Sequence, residues 1–171
     1  MVGAAAVMID EDASPPELLL VEHSYRSRGA WGLPGGSLDS IPGDPIRPGS
    51  ASSADDVLES ALRRELLEEL GIEITALNLL RVDAIPYVAE EPGPYRLDFY
   101  YRCFPQQGFA KLRESLISGR FKPRSPEISR VCLVSLSDLK DYDLYSSDAR
   151  LLYEDLCRLE PGLMQFFSNE P

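Results

Sequence analysis

Leucines at 58, 62, 66 and 70, closed off by Gly71, define one helix with a single buried edge. A four-residue repeat keeps those side chains on one stripe, and a glycine just past the stripe is the residue that takes the left-handed turn ending a helix. The spacing predicts a helix from about Ala54 to Leu70, with Ser53 as N-cap and Asp55 and Asp56 in the first turn, where acids are favoured. Glu65, Glu68 and Glu69 then fall within about a 100° arc beside the stripe. Three carboxylates this close repel one another unless something positive sits among them. The simplest occupant is a hard divalent cation, which points to metal-assisted chemistry on phosphates.

The flanking sequence supplies strands. Residues 2–9 and 17–23 read as a hairpin joined by an Asp/Ser/Pro turn, and Ala30 to Leu33 as a short strand ending in Pro34-Gly35-Gly36. Residues 40–53, with prolines at 42, 45 and 48, read as an exposed loop. Beyond the helix, residues 74–88 are extended and hydrophobic, and Glu90 to Pro94 form a turn. Tyr95 to Phe104 is a strand with Tyr95, Leu97, Phe99, Tyr101 and Cys103 on one face. Residues 106–126 are irregular with a short helix at 109–117, and Ile128 to Leu136 is a further strand. Ser146 to Leu159 reads as an amphipathic helix with Leu151, Leu152, Leu156 and Leu159 as its apolar positions. The order strands, helix, strands, helix makes this an α/β chain, with a mixed sheet between helices.

Charge narrows the partners. The 171 residues suit one domain, and 44% hydrophobic residues can build a core. A net charge of −11 argues against bulk binding to nucleic acid or anionic lipid. Phosphate ligands then need metal ions or a local basic patch. Cys103, Cys132 and Cys157 are odd in number and lack metal-finger spacing, so they read as reduced thiols of a cytoplasmic protein. The apolar start at residues 1–9 is short and lacks a basic leader, and no apolar run approaches membrane-spanning length.

The second half of this helix carries a family pattern. Gly35-Gly36, a linking segment, and then Arg64-Glu65-Leu66-Leu67-Glu68-Glu69-Leu70-Gly71-Ile72 resembles the Nudix box, and Trp31 to Gly36 is also typical of that family. The match holds at every defined position from Arg64 to Ile72. The first half departs from the pattern: counting back from Arg64, the upstream glutamate falls on Asp56, which is 20 positions after Gly36 where the family has 6. The 40–53 loop is thus an insertion within the box, and an alternative alignment puts the upstream acid at Asp44.

The resemblance implies a Nudix-type α/β/α sandwich with a mixed β-sheet over a single domain, 1–171. It implies a hydrolase cleaving a phosphoanhydride bond in a nucleoside diphosphate linked to another group. A binding or sensing module without turnover is the alternative. It further implies Mg²⁺ or Mn²⁺ held by Glu65, Glu68, Glu69 and the Gly35 carbonyl, with Arg64 orienting the acids by charge-assisted hydrogen bonds. Such an ion neutralises phosphate charge and activates water. Glu127, just before the 128–136 strand, is a general base or further ligand by the same resemblance, or an ordinary strand-edge acid. Glu65 is the competing base.

Several residues are candidates for substrate contact. Lys122 and Arg124 belong to a locally basic run with Lys111, Arg113 and Arg120, which is otherwise a solvated face. Arg26 and Arg28 precede Trp31, whose place in the glycine-rich turn also suits a packing role. His23 reads as a strand-end residue, and Pro86 and Tyr87 do not sit at the offset that the family uses for substrate class. The expected partner is a small nucleotide-type substrate, without a membrane, and a homodimer is possible because related enzymes are often dimers.

Overall fold

The computed structural model describes residues 2–24, 30–37, 54–88, 92–144, 148 and 152; for 54–57, 76, 85–88 and 92–96 it describes the backbone alone. The 40–53 loop, with Asp44, lies outside the described residues, as do all but two residues of the expected 146–159 helix.

The elements run β1 (Val2–Val7), β2 (Ile9–Asp10), β3 (Glu17–His23), β4 (Ala30–Gly32), β5 (Gly35–Ser37), α1 (Ala54–Glu65), β6 (Ile74–Val88), β7 (Pro92–Pro105), α2 (Phe109–Ile117), β8 (Ile128–Ser135) and β9 (Asp143–Leu144). A wide π turn, Leu66–Leu70, continues α1, and a 3₁₀ turn, Leu136–Asp141, follows β8.

The sheet is split in two. One has the order β5-β1-β7-β6, with β1 parallel to β7 and the other pairs antiparallel. In the other, β3 pairs antiparallel with β2, β4 and β8, and β4 runs parallel to β9. The pairing is therefore mixed, as expected, but in two sheets rather than one. The cause is local. The chain changes sheet at Met8, whose carbonyl accepts the Leu19 N–H at 3.0 Å, while the Ala6 N–H donates to Pro34 at 2.8 Å. Only Ile9 and Asp10 form the hairpin with β3 that was expected of residues 2–9.

Both faces of the central strands are covered. Leu18, Leu19, Leu20 and Val21 are all fully buried, which is the continuous apolar run of a strand with a core on each side. One core gathers Met8, Leu19, Val21, Tyr101, Cys103 and Leu112 around the α1 stripe Leu58, Leu62, Leu66 and Leu70. The other gathers Val7, Ile9, Leu18, Leu20, Trp31, Leu33, Tyr100 and Leu152. Burying each leucine of the stripe contributes about 1.5–3 kcal/mol to holding α1 on the core beside β1 and β5. Tyr101 and Cys103 share a buried face as expected, but Leu97 is exposed and Tyr100, on the opposite face, is fully buried in the second core. The hairpin is also tighter than expected, for β7 begins at Pro92, paired with Val88.

The described cysteines, Cys103 and Cys132, are free thiols, and burial pushes them up to about 12 and about 11. Cys157 lies outside the described residues. Among the described residues no helix is long and apolar enough to cross a membrane.

Candidate active site

The acids enter the site through the end of α1. The helix widens at Leu66–Leu70 into a π turn, an irregularity frequent at functional sites. Gly71 then stops it with φ 71°, a conformation that side-chain-bearing residues rarely adopt. Its N–H donates to the Leu67 carbonyl at 3.0 Å, and that of Ile72 to Leu66 at 3.1 Å.

The segment at 124–127 is fastened to this helix end. The N–H groups of Arg124 and Ser125 both donate to the Glu69 carbonyl, at 2.7 and 3.2 Å. The Arg124 guanidinium reaches the Leu67 carbonyl at 3.4 Å, so a cation and two N–H groups satisfy the negative end of the helix. Two residues on, the Glu127 carbonyl accepts the Ser24 N–H at 2.7 Å.

The three glutamates differ sharply in environment. Arg64 donates to Glu65 at 2.7 Å and to Glu68 at 2.9 Å. Glu68 is exposed, with 60% of its side chain open, whereas Glu65 keeps 14%. Glu65 packs on Gly36: a Cβ there would sit 2.4 Å from its Cδ, so any larger residue would push the Glu65 carboxylate from its place. Glu69 is buried at 8% exposure, and its Oε2 has no hydrogen-bond partner among the described residues. Burial, then the charges of Glu65 and Glu127, push its carboxyl up to about 7, against the opposing pull of Arg64.

Of the residues singled out in the sequence, the fold thus brings together Arg64, Glu65, Glu68, Glu69 and Glu127, with Gly35 and Gly36 on β5 beside them. Among the described residues, no three His, Cys, Asp or Glu side chains are gathered ready to hold a metal. Arg64 engages Glu65 and Glu68 instead. The donor set nonetheless suits a hard cation, being all carboxylate, and Glu69 supplies a buried oxygen in need of a positive partner.

The remaining candidates lie elsewhere or serve the scaffold. Arg124 caps the helix end, and Lys122 is exposed. Trp31 sits in the second core, its face covered by the Arg130 guanidinium at 4.8 Å and its ring edge-on to Tyr142 at 5.4 Å. Arg113 pairs with Asp10 and Glu17, and Arg120 with Glu114, so part of the basic run is neutralised locally. Arg26 and Arg28 lie outside the described residues, as does the side chain of Asp56.

A family model of the NUDIX domain matches residues 1–155. The chain belongs to the NUDIX domain family. Solved structures agree on the fold. A MutT NUDIX hydrolase from Burkholderia pseudomallei aligns with a TM-score of 0.57 at 21% identity, covering 88% of this chain and 94% of that one. The NUDIX domain of Shewanella oneidensis NrtR, complexed with ADP ribose, aligns at 0.62 and 18% identity, over 93% and 88%. The MutT protein from Methanosarcina mazei Go1 aligns at 0.59 and 19%, over 93% and 94%. At such identities the likeness speaks for the fold alone. No curated protein matches the chain in sequence.

Two parts of this NUDIX domain went unread in the sequence. One is the Glu22–Arg130 pair beside Trp31; cross-strand register alone joins these residues, which are 108 apart. The other is Asp148, which accepts the Leu33 N–H at 3.0 Å from 115 residues away. Its charge at the start of an apolar periodic segment was the only available signal.

Proposed function

We propose that this NUDIX-domain protein is a divalent-metal-dependent hydrolase that cleaves a phosphoanhydride bond in a nucleoside diphosphate linked to another group. The observation that carries the reading is Glu69: a buried carboxyl whose Oε2 has no hydrogen-bond partner among the described residues, pushed up to about 7 by burial and by neighbouring acids. A structural glutamate would be expected to be hydrogen-bonded to an arginine; for this one the charges of Glu65 and Glu127 outweigh the pull of Arg64. Glu65, Glu68, Glu69 and the Gly35 carbonyl would hold Mg²⁺ or Mn²⁺. When bound, such an ion neutralises phosphate charge and lowers the pKa of water.

The chain's own residues do the rest. Arg64 sets the spacing of Glu65 and Glu68 by charge-assisted hydrogen bonds. Glu69 serves as a ligand only when ionised, so its proton must leave as pH rises through about 7. The proton of the attacking water goes to Glu127 or Glu65. The products are a nucleoside monophosphate and a phosphorylated fragment, or a nucleotide and pyrophosphate.

A second reading, nucleotide binding without turnover, is favoured by Arg64 engaging two of the three acids. Hydrolysis of ADP-ribose, nucleotide sugars, NADH, dinucleoside polyphosphates, coenzyme A and nucleoside triphosphates, with Mg²⁺ or Mn²⁺, separates the two. The hydrolase reading expects one preferred class, lost in Glu68→Gln. Nucleotide binding with no turnover of any compound would leave the second reading.

A further inference from the structure

We infer that Asp148 is a positioning residue for the metal-facing turn Pro34-Gly35-Gly36, acting from the second core through the backbone of Leu33. Asp148 is buried at 7% exposure, a costly place for a carboxylate unless its hydrogen bonds matter. Its Oδ2 accepts the Leu33 N–H at 3.0 Å, and its Oδ1 faces the hydroxyl of fully buried Tyr100 at 3.5 Å. Tyr100 sits on β7, which pairs in parallel with β1 at Ala5. The carboxylate therefore ties the segment entering the turn to the centre of the four-stranded sheet.

The far side of the same turn is tied to β1. The Pro34 carbonyl accepts the Ala6 N–H at 2.8 Å, and Gly35 and Gly36 pair with Ala5 and Ala4. Gly36 in turn touches the Glu65 carboxylate, which would have to shift to admit a methyl group there. Leu33 is two residues from Gly35 and three from Gly36, so a slip of its N–H moves both the Gly35 carbonyl and the wall against Glu65. Groups that orient ligands without touching the metal typically change metal affinity by about 10–100-fold when removed. Asp148 fits that pattern at one remove, through main chain instead of a side chain.

The inference rests on the reading of Gly35 and the acids as a metal site, and its test separates the two. Asp148→Ala removes the acceptor, whereas Asp148→Asn keeps an oxygen for the Leu33 N–H. Mn²⁺ binding by calorimetry, well below each variant's Tm, is expected to weaken about tenfold or more in Asp148→Ala and to stay within about threefold of wild type in Asp148→Asn. Amide exchange in the metal-free chain is expected to quicken across residues 33–37 in Asp148→Ala while β3 and β8 keep their protection. Unchanged Mn²⁺ affinity in Asp148→Ala, or protection lost evenly through β3 and β8, would make Asp148 an ordinary core group and overturn the inference. So would a freely exchanging Leu33 amide in wild type, a result that needs no variant to fold. A wild type that binds no Mn²⁺ would instead sink the metal reading, and amide exchange would still decide the positioning role.

Discussion

Glu22 and Glu69 are both buried glutamates, 5% and 8% exposed, yet they sit in opposite electrostatic company. Glu22 accepts from Arg130 through both oxygens, at 2.6 and 2.8 Å, and from the Ser129 hydroxyl at 2.6 Å. Arg130 lies in turn over Trp31. Both oxygens that burial strips of water find donors, as a structural carboxylate requires. Glu69 has three acids among its neighbours against the single pull of Arg64, and an oxygen with no partner among the described residues. Burial alone therefore does not mark a functional acid; burial without compensation does, because the folded chain bears a cost that only an added cation or proton relieves.

The sharpest test of that contrast is activity. Glu69→Gln should lower metal-dependent turnover by about 10²-fold or more, the scale of losing a group that stabilises transition-state charge. Glu22→Gln should leave kcat within about threefold once folding is allowed for. If the two variants lost activity equally, the comparison would fail. Gly36→Ala should come next, since its methyl would overlap Glu65. We expect Mn²⁺ binding weakened about tenfold with a modest change in Tm, measured by calorimetry on the same sample.

Stability should rank the pair the other way. Arg130→Ala takes two charge-assisted hydrogen bonds from the buried Glu22 carboxylate and, because the 60% exposed arginine leaves a gap that water can enter, should cost about 1–2 kcal/mol, a Tm drop of a few degrees. The metal-free chain should respond to pH through Glu69. Its folded pKa, about 7, lies above the ordinary value of 4.5. Protonated Glu69 is therefore tolerated in the fold, and its contribution is fully present below about pH 4.5 and lost as pH rises through about 7. Glu69→Gln should remove that loss, raising the metal-free Tm at pH 8 by a few degrees and leaving it little changed at pH 4. A thermal melt series from pH 4 to pH 8 checks this, and an identical slope in wild type and variant would refute it.

Much of the scaffold was legible because it depends on neighbours along the chain. The stripe Leu58, Leu62, Leu66 and Leu70, the Gly71 stop, the 74–88 strand and the 109–117 helix all follow from local periodicity and turn chemistry. The segment Pro34-Gly35-Gly36 reads as a turn in the sequence, but only Pro34 bends; Gly35 and Gly36 pair as β5 on β1, and glycines carry no strand signal. The split into two sheets at Met8 was hidden for a related reason. Ala6, Val7, Met8 and Ile9 are all apolar and all buried, so no alternation marks where the strand leaves one sheet for the other.

By itself the sequence determined which chemistry the helix end can offer: three carboxylates, one arginine and a glycine stop, at spacings fixed by 3.6 residues per turn. Tertiary structure decided what each acid became. Glu68 stays in water, Glu65 lies against Gly36, and Glu69 is buried, its main chain bonded to Arg124 and Ser125 and its carboxyl facing the charge of Glu127. Those differences come from chain distant in sequence, 29 residues away for Gly36 against Glu65 and more than fifty for the segment beside Glu69. Desolvation depends on what packs over a group, and periodicity along the chain does not encode what arrives from elsewhere.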